Sequence, residues 1–197
     1  PDGVRMSTGL TYINLSRHRL DLTIKANVLV LRVLFDGKKA IGAEVESSGE
    51  RFTVEADEVV LSAGAIASPH LLMLSGVGPA EQLERQGIPV LHELPGVGQN
   101  LRDHPIVPVV YKVKEDHPQD PKAPRYQLAL RYTATGSETR NDMVITPSSL
   151  NTVIREGDDP TQAIGAGLYL AVGSGELRLT SSDPAAQPQM DYKYLVD

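Results

Sequence analysis

The sequence contains no cysteine among its 197 residues. A chain without cysteine forms no disulfide, offers no thiolate nucleophile and holds no cysteine-ligated zinc, so these three kinds of site are excluded. This composition fits a cytoplasmic protein, which is the location that we expect. The chain also lacks any apolar run near the roughly 18 residues of a membrane-spanning helix, and we therefore expect no transmembrane segment.

Positive charge is also scarce. The chain has 19 lysines and arginines against 25 aspartates and glutamates, which gives a formal net charge of -6. Because contacts with phosphates need clustered lysine and arginine, this balance argues against a nucleic-acid partner. We also expect no metal site, because four of the histidines have no partners at metal-ligand spacing. They are His18, His70, His92 and His117.

What is present indicates a folded, strand-rich protein. Hydrophobic residues make up 41% and charged residues 22% of the chain, as in ordinary globular domains. Three segments rich in aliphatic and β-branched residues predict an antiparallel meander with one solvent-exposed face. The predicted strands are Asp21–Phe35, Ala40–Glu46 and Phe52–Ala56, joined by turns at Asp36-Gly37 and at 47–50.

The next segment reads as a strand, a small-residue turn and a helix. Val59–Leu61 predicts a strand buried on both faces, and Ser68 and Pro69 predict a helix start that Gly76 later ends. Small residues between them would let the main chain approach a ligand closely, and a helix N-terminus suits a phosphate. The pattern alone favours the plainer alternative, a tight strand-to-helix corner of any α/β fold.

The rest of the chain predicts one more short helix and further strands. The helix starts at Pro79 and ends at Gly87, and the following residues up to Pro105 predict a loop. The predicted strands are Ile106–Lys114, Tyr126–Tyr132, Asp142–Thr146 and two within Ala163–Thr180, and residues 115–124 predict an exposed loop. The fold class is α+β, and the chain is rich in β-structure.

Two runs of residues resemble the glucose–methanol–choline (GMC) oxidoreductases. Residues 64–78 resemble the second signature of that family, and residues 94–105 continue in the same style. Weaker similarity surrounds Ser7-Thr8 and residues 175–184. The resemblance implies a choline-dehydrogenase-like, FAD-dependent enzyme that oxidises a small alcohol. Residues 1–104 would then belong to a partial Rossmann-like FAD-binding domain and 105–197 to part of an antiparallel-sheet substrate domain.

The resemblance also implies seven cofactor-binding residues. They are Val30, Ala63, Gly64, Ala65, Asn100, Asp103 and His104. Each has a plainer alternative. Val30 could be an ordinary strand valine, the turn at 63–65 a packing corner, and the three polar residues a structural hydrogen-bonding loop.

Departures from the family pattern define what we expect of this chain alone. It has no Gly-x-Gly-x-x-Gly fingerprint for the pyrophosphate and no histidine in the family's catalytic motif, so we assign it no catalytic residue. A carboxylate near the ammonium group of choline would be replaced by Lys112, which argues for another primary alcohol. The start at Pro1 without methionine suggests an internal piece of a longer enzyme.

We expect the isolated 197-residue chain to be inactive and to bind no FAD measurably, because the pyrophosphate loop should supply most of the anchoring. Exposed apolar surface would favour self-association, for example as a homodimer. The alternative is a non-catalytic binding or assembly module that kept part of the fold. The flanking coding sequence distinguishes the two.

Overall fold

The computed structural model describes residues 4, 6–114, 116–117, 126–148, 162–194 and 196. It divides the chain into two compact units, Pro1–Val60 and Leu61–Asp197.

The first unit is a three-stranded antiparallel meander preceded by a short helical segment. A π-helical turn at Gly9–Ile13 runs into a single α-helical turn, α1, at Asn14–Ser16. None of residues 6–27 is buried. The strands follow in the order β1-β2-β3 and comprise Leu29–Asp36, Lys39–Ser47 and Glu50–Glu55. The predicted meander is confirmed.

Turn chemistry and cross-strand ion pairs fix the register of this meander. Ser48 and Gly49 both have positive φ, at 54° and 83°, which is the requirement of a tight hairpin turn whose twist matches the strands. Arg32 on β1 pairs with Glu44 on β2 at 2.7 Å. Leu31, Val33 and Val45 are buried. Polar pairs therefore lie outside while aliphatic side chains fill the interior of the unit.

Two strand predictions in this part of the chain are wrong. The first strand starts at Leu29 rather than Asp21, because β2 is only nine residues long and its pairing with β1 begins at Leu29 opposite Glu46. Val59–Leu61 lies in no strand, and Val60 is 74% exposed. A strand needs a neighbour for its N–H and C=O groups, and no described residue pairs with this segment.

In its described residues, the second unit combines two helices with three small sheets. The helices are α2, Gly64–Leu74, and α3, Ala80–Arg85. Its strands are Val77–Gly78 (β4), His92–Glu93 (β5), Gln99–Leu101 (β6), Ile106–Tyr111 (β7), Leu130–Tyr132 (β8), Met143–Pro147 (β9), Gln162–Leu168 (β10), Gly175–Arg178 (β11) and Gln189–Asp191 (β12).

These strands form a parallel pair and two antiparallel sheets. β4 pairs with β5, β6 and β12 flank β11, and the third sheet has the order β7-β10-β9-β8. The predicted strands at 106–114 and 126–132 are shorter than expected, ending at Tyr111 and starting at Leu130. The predicted loop up to Pro105 contains β5 and β6. Such two- and three-residue strands carry no periodicity that a sequence could show.

The core of this unit joins the helices to β11. Met73 and Leu83 are fully buried, and Leu177 is 1% exposed. Ile88, Val97 and Leu179 complete the cluster. Gln82 on α3 accepts a hydrogen bond from the backbone N–H of Leu179 at 2.5 Å. The core thus fixes α2 and the loop around Val97 against the same strand.

The N-cap of helix α2 is Ala63, five residues before the predicted cap Ser68. The helix starts at Gly64, so Pro69 lies inside the helix instead of at its first position. The predicted helix start is therefore wrong. Pro69 is the sixth residue of the helix. Because proline has no N–H, the carbonyl of Ala65, in the first turn, loses its usual hydrogen bond within the helix. The predicted end at Gly76 is close, because Ser75 is the C-cap and Gly76 has a φ of 81°.

Candidate functional site

A cavity of about 450 Å³ lies between the first turns of α2 and the loop that carries β6. Its volume lies within the range of small-molecule sites. The lining residues are Ala65, Ser68, Pro69, Leu72, Gly96, Val97, Gly98, Gln99, Asn100, Leu101, Arg102 and Leu177. We call this space the α2 cavity.

On the α2 side of the cavity, small side chains leave the backbone exposed. The first turn contains Gly64 and Ala65, both exposed, so little side chain covers its N–H groups. The first N–H groups of any helix have no partner within the helix. One donor in this corner is already used, because the N–H of Ala63 donates to Oγ of Ser68 at 3.0 Å. The remaining donors and the helix dipole favour an electronegative group on a ligand.

The opposite wall is a loop pressed against β11. Gly98 has a φ of 83°, and a Cβ there would overlap the carbonyl oxygen of Leu177. The N–H of Leu177 donates to the carbonyl of Gly98 at 2.6 Å. Only glycine combines the left-handed conformation with this close backbone approach. The approach holds the following residues, Gln99 to Arg102, at the cavity.

Arg102 links two separate parts of this unit. Its Nε donates to Oδ1 of Asn100 at 2.9 Å, and its Nη1 donates to the carbonyl of Ala171 at 3.2 Å. Asn100 has a φ of 61°, a left-handed conformation that asparagine tolerates better than most residues. The guanidinium therefore lies between the loop that bears Asn100 and the chain that follows β10.

Two further cavities adjoin the α2 cavity through Arg102. One, of about 460 Å³, is lined by Arg102, Asp103, Asp142 and Tyr194, among others, and the second, of about 410 Å³, includes Arg102, Asp103 and His104. The ring of His104 stacks on Tyr169 with centroids 4.2 Å apart and planes 3° from parallel. This stacking holds the ring of His104 against Tyr169, the residue directly after β10, and so restricts rotation of the ring.

Asp103 is committed to local hydrogen bonds. Its Oδ1 accepts the N–H of His104 at 2.8 Å. Partial burial raises the pKa of Tyr194, and the negative charge of Asp103, which also hydrogen-bonds to that phenol, raises it further. Tyr192 stacks on Tyr194 at 5.3 Å. A carboxylate so engaged is better suited to holding the loop than to proton transfer.

A charged cluster supports the β6 sheet behind the α2 cavity. Hydrogen bonds from Arg178 and Lys193, with a further one from Gln99, lower the pKa of Glu176 to about 2. The distances to Arg178 and Lys193 are 2.9 and 3.0 Å, and the Glu176 side chain is only 11% exposed. Glu176 thus remains ionised near neutral pH and ties β11 to Gln99 on β6 and to Lys193, two residues beyond the end of β12.

The structure brings some of the seven predicted residues together. Ala65 and Asn100 both line the α2 cavity, and Asp103 and His104 line the adjoining ones. Ala63 and Gly64 line none of these three cavities, although they form the start of α2. Val30 lies on β1 of the other unit, opposite Val45, and is 38% exposed. Cofactor contact at each of the seven stays a prediction.

Sequence reasoning missed Arg102, Gly98 and Tyr169. Arg102 stood inside the family-like run but its partner Ala171 is 69 positions away in sequence, so no local pattern reveals the contact. Gly98 carried a readable signal, since a glycine between apolar and polar residues often marks a close backbone approach. Tyr169 follows β10 directly, and nothing in the sequence indicates that it meets His104.

Among the described residues, no helix is long and apolar enough to cross a membrane. No group of three or more histidine, aspartate or glutamate side chains in that part of the chain could hold a metal ion.

Comparison with known proteins decides the family. A family model described as GMC oxidoreductase matches residues 1–106. The chain belongs to the GMC oxidoreductase family. The predicted family is therefore confirmed, and so is its character as a family of FAD-dependent oxidoreductases. Membership rests on this match, because the strand predicted at Val59–Leu61, on which the close-approach argument was built, is absent.

Curated relatives of this GMC chain are longer proteins. An uncharacterized GMC-type oxidoreductase of Rhodococcus erythropolis is 36% identical over 98% of the chain and 38% of its own length. Oxygen-dependent choline dehydrogenase 1 of Chromohalobacter salexigens is 34% identical over 99% of the chain and 40% of its own length. The GMC chain thus spans about 40% of these relatives.

Solved structures share the fold of the GMC chain. Pyridoxine 4-oxidase from Mesorbium loti superimposes on 99% of the chain with a TM-score of 0.86 at 24% identity, covering 40% of that protein. Formate oxidase of Aspergillus oryzae superimposes on the whole chain, and on 43% of its own length, with a TM-score of 0.84 at 22% identity. At these identities the likeness shows the fold alone.

Proposed function

We propose that this chain forms part of a FAD-dependent oxidoreductase that transfers a hydride from the carbon of a small alcohol to the flavin. Family membership and the activities for which relatives are named support this proposal. The observation that carries it is the α2 cavity, where small residues at a helix start face a loop with polar donors.

The residues present fit part of a FAD molecule. The α2 cavity, about 450 Å³ in volume, is large enough for one half of a dinucleotide. The uncovered N–H groups of the first α2 turn suit phosphate or ring acceptors. Asn100 and Gln99 add side-chain amides on the other wall. When bound, FAD supplies the acceptor for the hydride.

The chain's own contribution is to bind and orient the cofactor. We assign Ala65 and Asn100 to direct contact, and we retain Val30, Ala63, Gly64, Asp103 and His104 as predicted contacts. Residues 1–104 would belong to the FAD-binding domain. Residues 105–197 would form part of the substrate domain, a view that the antiparallel sheet β7-β10-β9-β8 supports. We assign no catalytic residue within the chain.

The substrate class is a small primary alcohol. Relatives named as choline dehydrogenases favour a choline-like substrate. Lys112, directly after β7, argues against a quaternary ammonium group if it lies near the substrate, since like charges repel. An assay of the whole protein with choline, with neutral primary alcohols and with pyridoxine would rank these classes.

The decisive experiment compares FAD binding by the whole protein that carries this chain with binding by the 197-residue chain alone. We expect the whole protein to contain flavin, seen as visible absorbance after purification, and to reduce it when an alcohol is added. We expect the isolated chain to bind no FAD and to be inactive. A colourless whole protein that no added FAD restores would refute the proposal, and flavin in the isolated chain would refute the second part.

A further inference from the structure

The side-chain amide of Asn100 has one fixed orientation in this site. A guanidinium carries only donors, so the atom of Asn100 that faces Nε of Arg102, at 2.9 Å, must be the oxygen Oδ1. The planar amide then directs its NH₂ group away from Arg102. In the part of the chain that the structure describes, this NH₂ group donates to no protein acceptor.

Arg102 is held independently of Asn100. Its Nη1 donates to the carbonyl of Ala171, 69 residues further along the chain. No carboxylate among the described residues lies within ion-pairing distance of its guanidinium, and the adjacent carboxylate of Asp103 accepts the N–H of His104. The guanidinium therefore does not compensate a neighbouring negative charge. Its described bonds anchor it on one side and hold the Asn100 amide on the other.

Asn100 has a left-handed conformation, with a φ of 61°, which asparagine adopts more readily than most residues that carry a side chain. Glycine would adopt it more readily still but would remove the amide. Asparagine at this position keeps a donor on the wall of the α2 cavity.

We propose that Arg102 is a positioning residue that fixes the Asn100 amide so that its NH₂ group donates a hydrogen bond to an acceptor atom of the bound FAD. This inference rests on the proposed function. The ligand atom is an acceptor, such as a ring carbonyl, a ring nitrogen or a phosphate oxygen, because a donor would meet a second donor there. Arg102 acts through Asn100 and does not itself contact the cofactor.

The variant N100D separates binding from structure. Aspartate has the same shape, tolerates the left-handed conformation and gives Arg102 a carboxylate partner, so the fold should be retained. It replaces the donor with a negatively charged acceptor. In the whole protein we expect the Kd for FAD to rise at least about tenfold, while the melting temperature of the FAD-free protein changes by less than about 2 °C.

Variants of Arg102 test how it acts. R102M removes the guanidinium donors, so the Asn100 amide can flip and exchange the positions of its oxygen and its NH₂ group. We expect a rise of about three- to tenfold in the Kd for FAD. R102K keeps a donor and should recover most of the affinity. In the double variant N100D/R102M, the second change should add less than about twofold to the effect of the first, because Arg102 then has no amide to orient.

Each outcome bears on the proposal. It is overturned if N100D binds FAD within about twofold of the wild-type protein, or if R102M weakens binding equally with and without N100D, since Arg102 would then contact the ligand itself. If R102M does not fold, the N100D result decides alone. A wild-type whole protein that binds no FAD would refute the proposed function, which is a separate failure.

Discussion

The helix-bearing cluster and the four-stranded sheet belong to the same unit, and they differ in how well they cover their apolar side chains. Met73 and Leu83 in the cluster have no exposed surface. On β7, by contrast, Val107 is 68% exposed and Ile106 is 51% exposed. Neighbouring strand residues point to opposite faces, so both faces of this sheet edge are apolar and uncovered.

This contrast shows that hydrogen bonding and burial are separate requirements. β10 pairs along its length with β7 and β9, so its backbone groups are satisfied as fully as those of a buried sheet. Apolar residues on both faces are typical of strands that lie between two layers. Since the chain spans about 40% of its curated relatives, we expect this sheet to be covered in the whole protein, or to associate if it is not.

The largest predicted effect concerns the cluster. Replacing Leu83 with alanine should lower the free energy of unfolding by about 3 kcal/mol, because the change leaves a cavity where no solvent enters. In the 197-residue chain the matched change Val107→Ala should cost under about 0.5 kcal/mol, because Val107 is 68% exposed there. Thermal unfolding of that chain measures both. Equal losses would abolish the contrast and would show that β7 is buried within it.

A smaller effect is expected from glycines on the cavity loop. Gly98→Ala should cost about 2 kcal/mol, since it combines a left-handed φ with a clash against the carbonyl of Leu177. Gly96 is a control on the same loop, because an added Cβ there would meet no atom within 4 Å and its φ is not positive. Denaturant unfolding of the two variants provides the comparison. A Gly98→Ala protein as stable as Gly96→Ala would show that the loop does not approach β11 as described.

The smallest effect is the pH dependence carried by Glu176. Its folded pKa of about 2 lies below the ordinary value of 4.5. A lowered carboxyl pKa contributes stability that is fully present above about pH 4.5 and is lost as the pH falls towards 2. Because Arg178 and Lys193 are 55% and 40% exposed, solvent screens them and the contribution is on the order of 1 kcal/mol.

Glu176→Gln should therefore lower the melting temperature by about 2–4 °C at pH 7 and leave it nearly unchanged at pH 2. Glu84→Gln, at an exposed position of α3, is the control and should show little change at either pH. Melting curves across this pH range measure the difference. A constant gap between wild type and Glu176→Gln would contradict the assigned pKa.

Local sequence patterns predicted the elements whose causes are local. The turn at Ser48-Gly49 and the end of α2 near Gly76 were readable because a positive φ has a residue preference. The start of α2 was not, since a proline after a serine is the usual mark of a helix start, and here Ser68 instead accepts the Ala63 N–H from within the helix. The prediction of a strand at Val59–Leu61 was wrong because apolar residues do not show whether a second strand lies beside them to pair with.

The sequence by itself determined the three-stranded meander, the two helices and the family-like runs at 64–78 and 94–105, because turns, caps and apolar spacing act over a few residues. Only the tertiary structure decided that Ala65 and Asn100 share one cavity, that Gly98 lies against Leu177 and that Arg102 reaches Ala171. These contacts join residues tens of positions apart, and their geometry depends on how the core around Met73 packs.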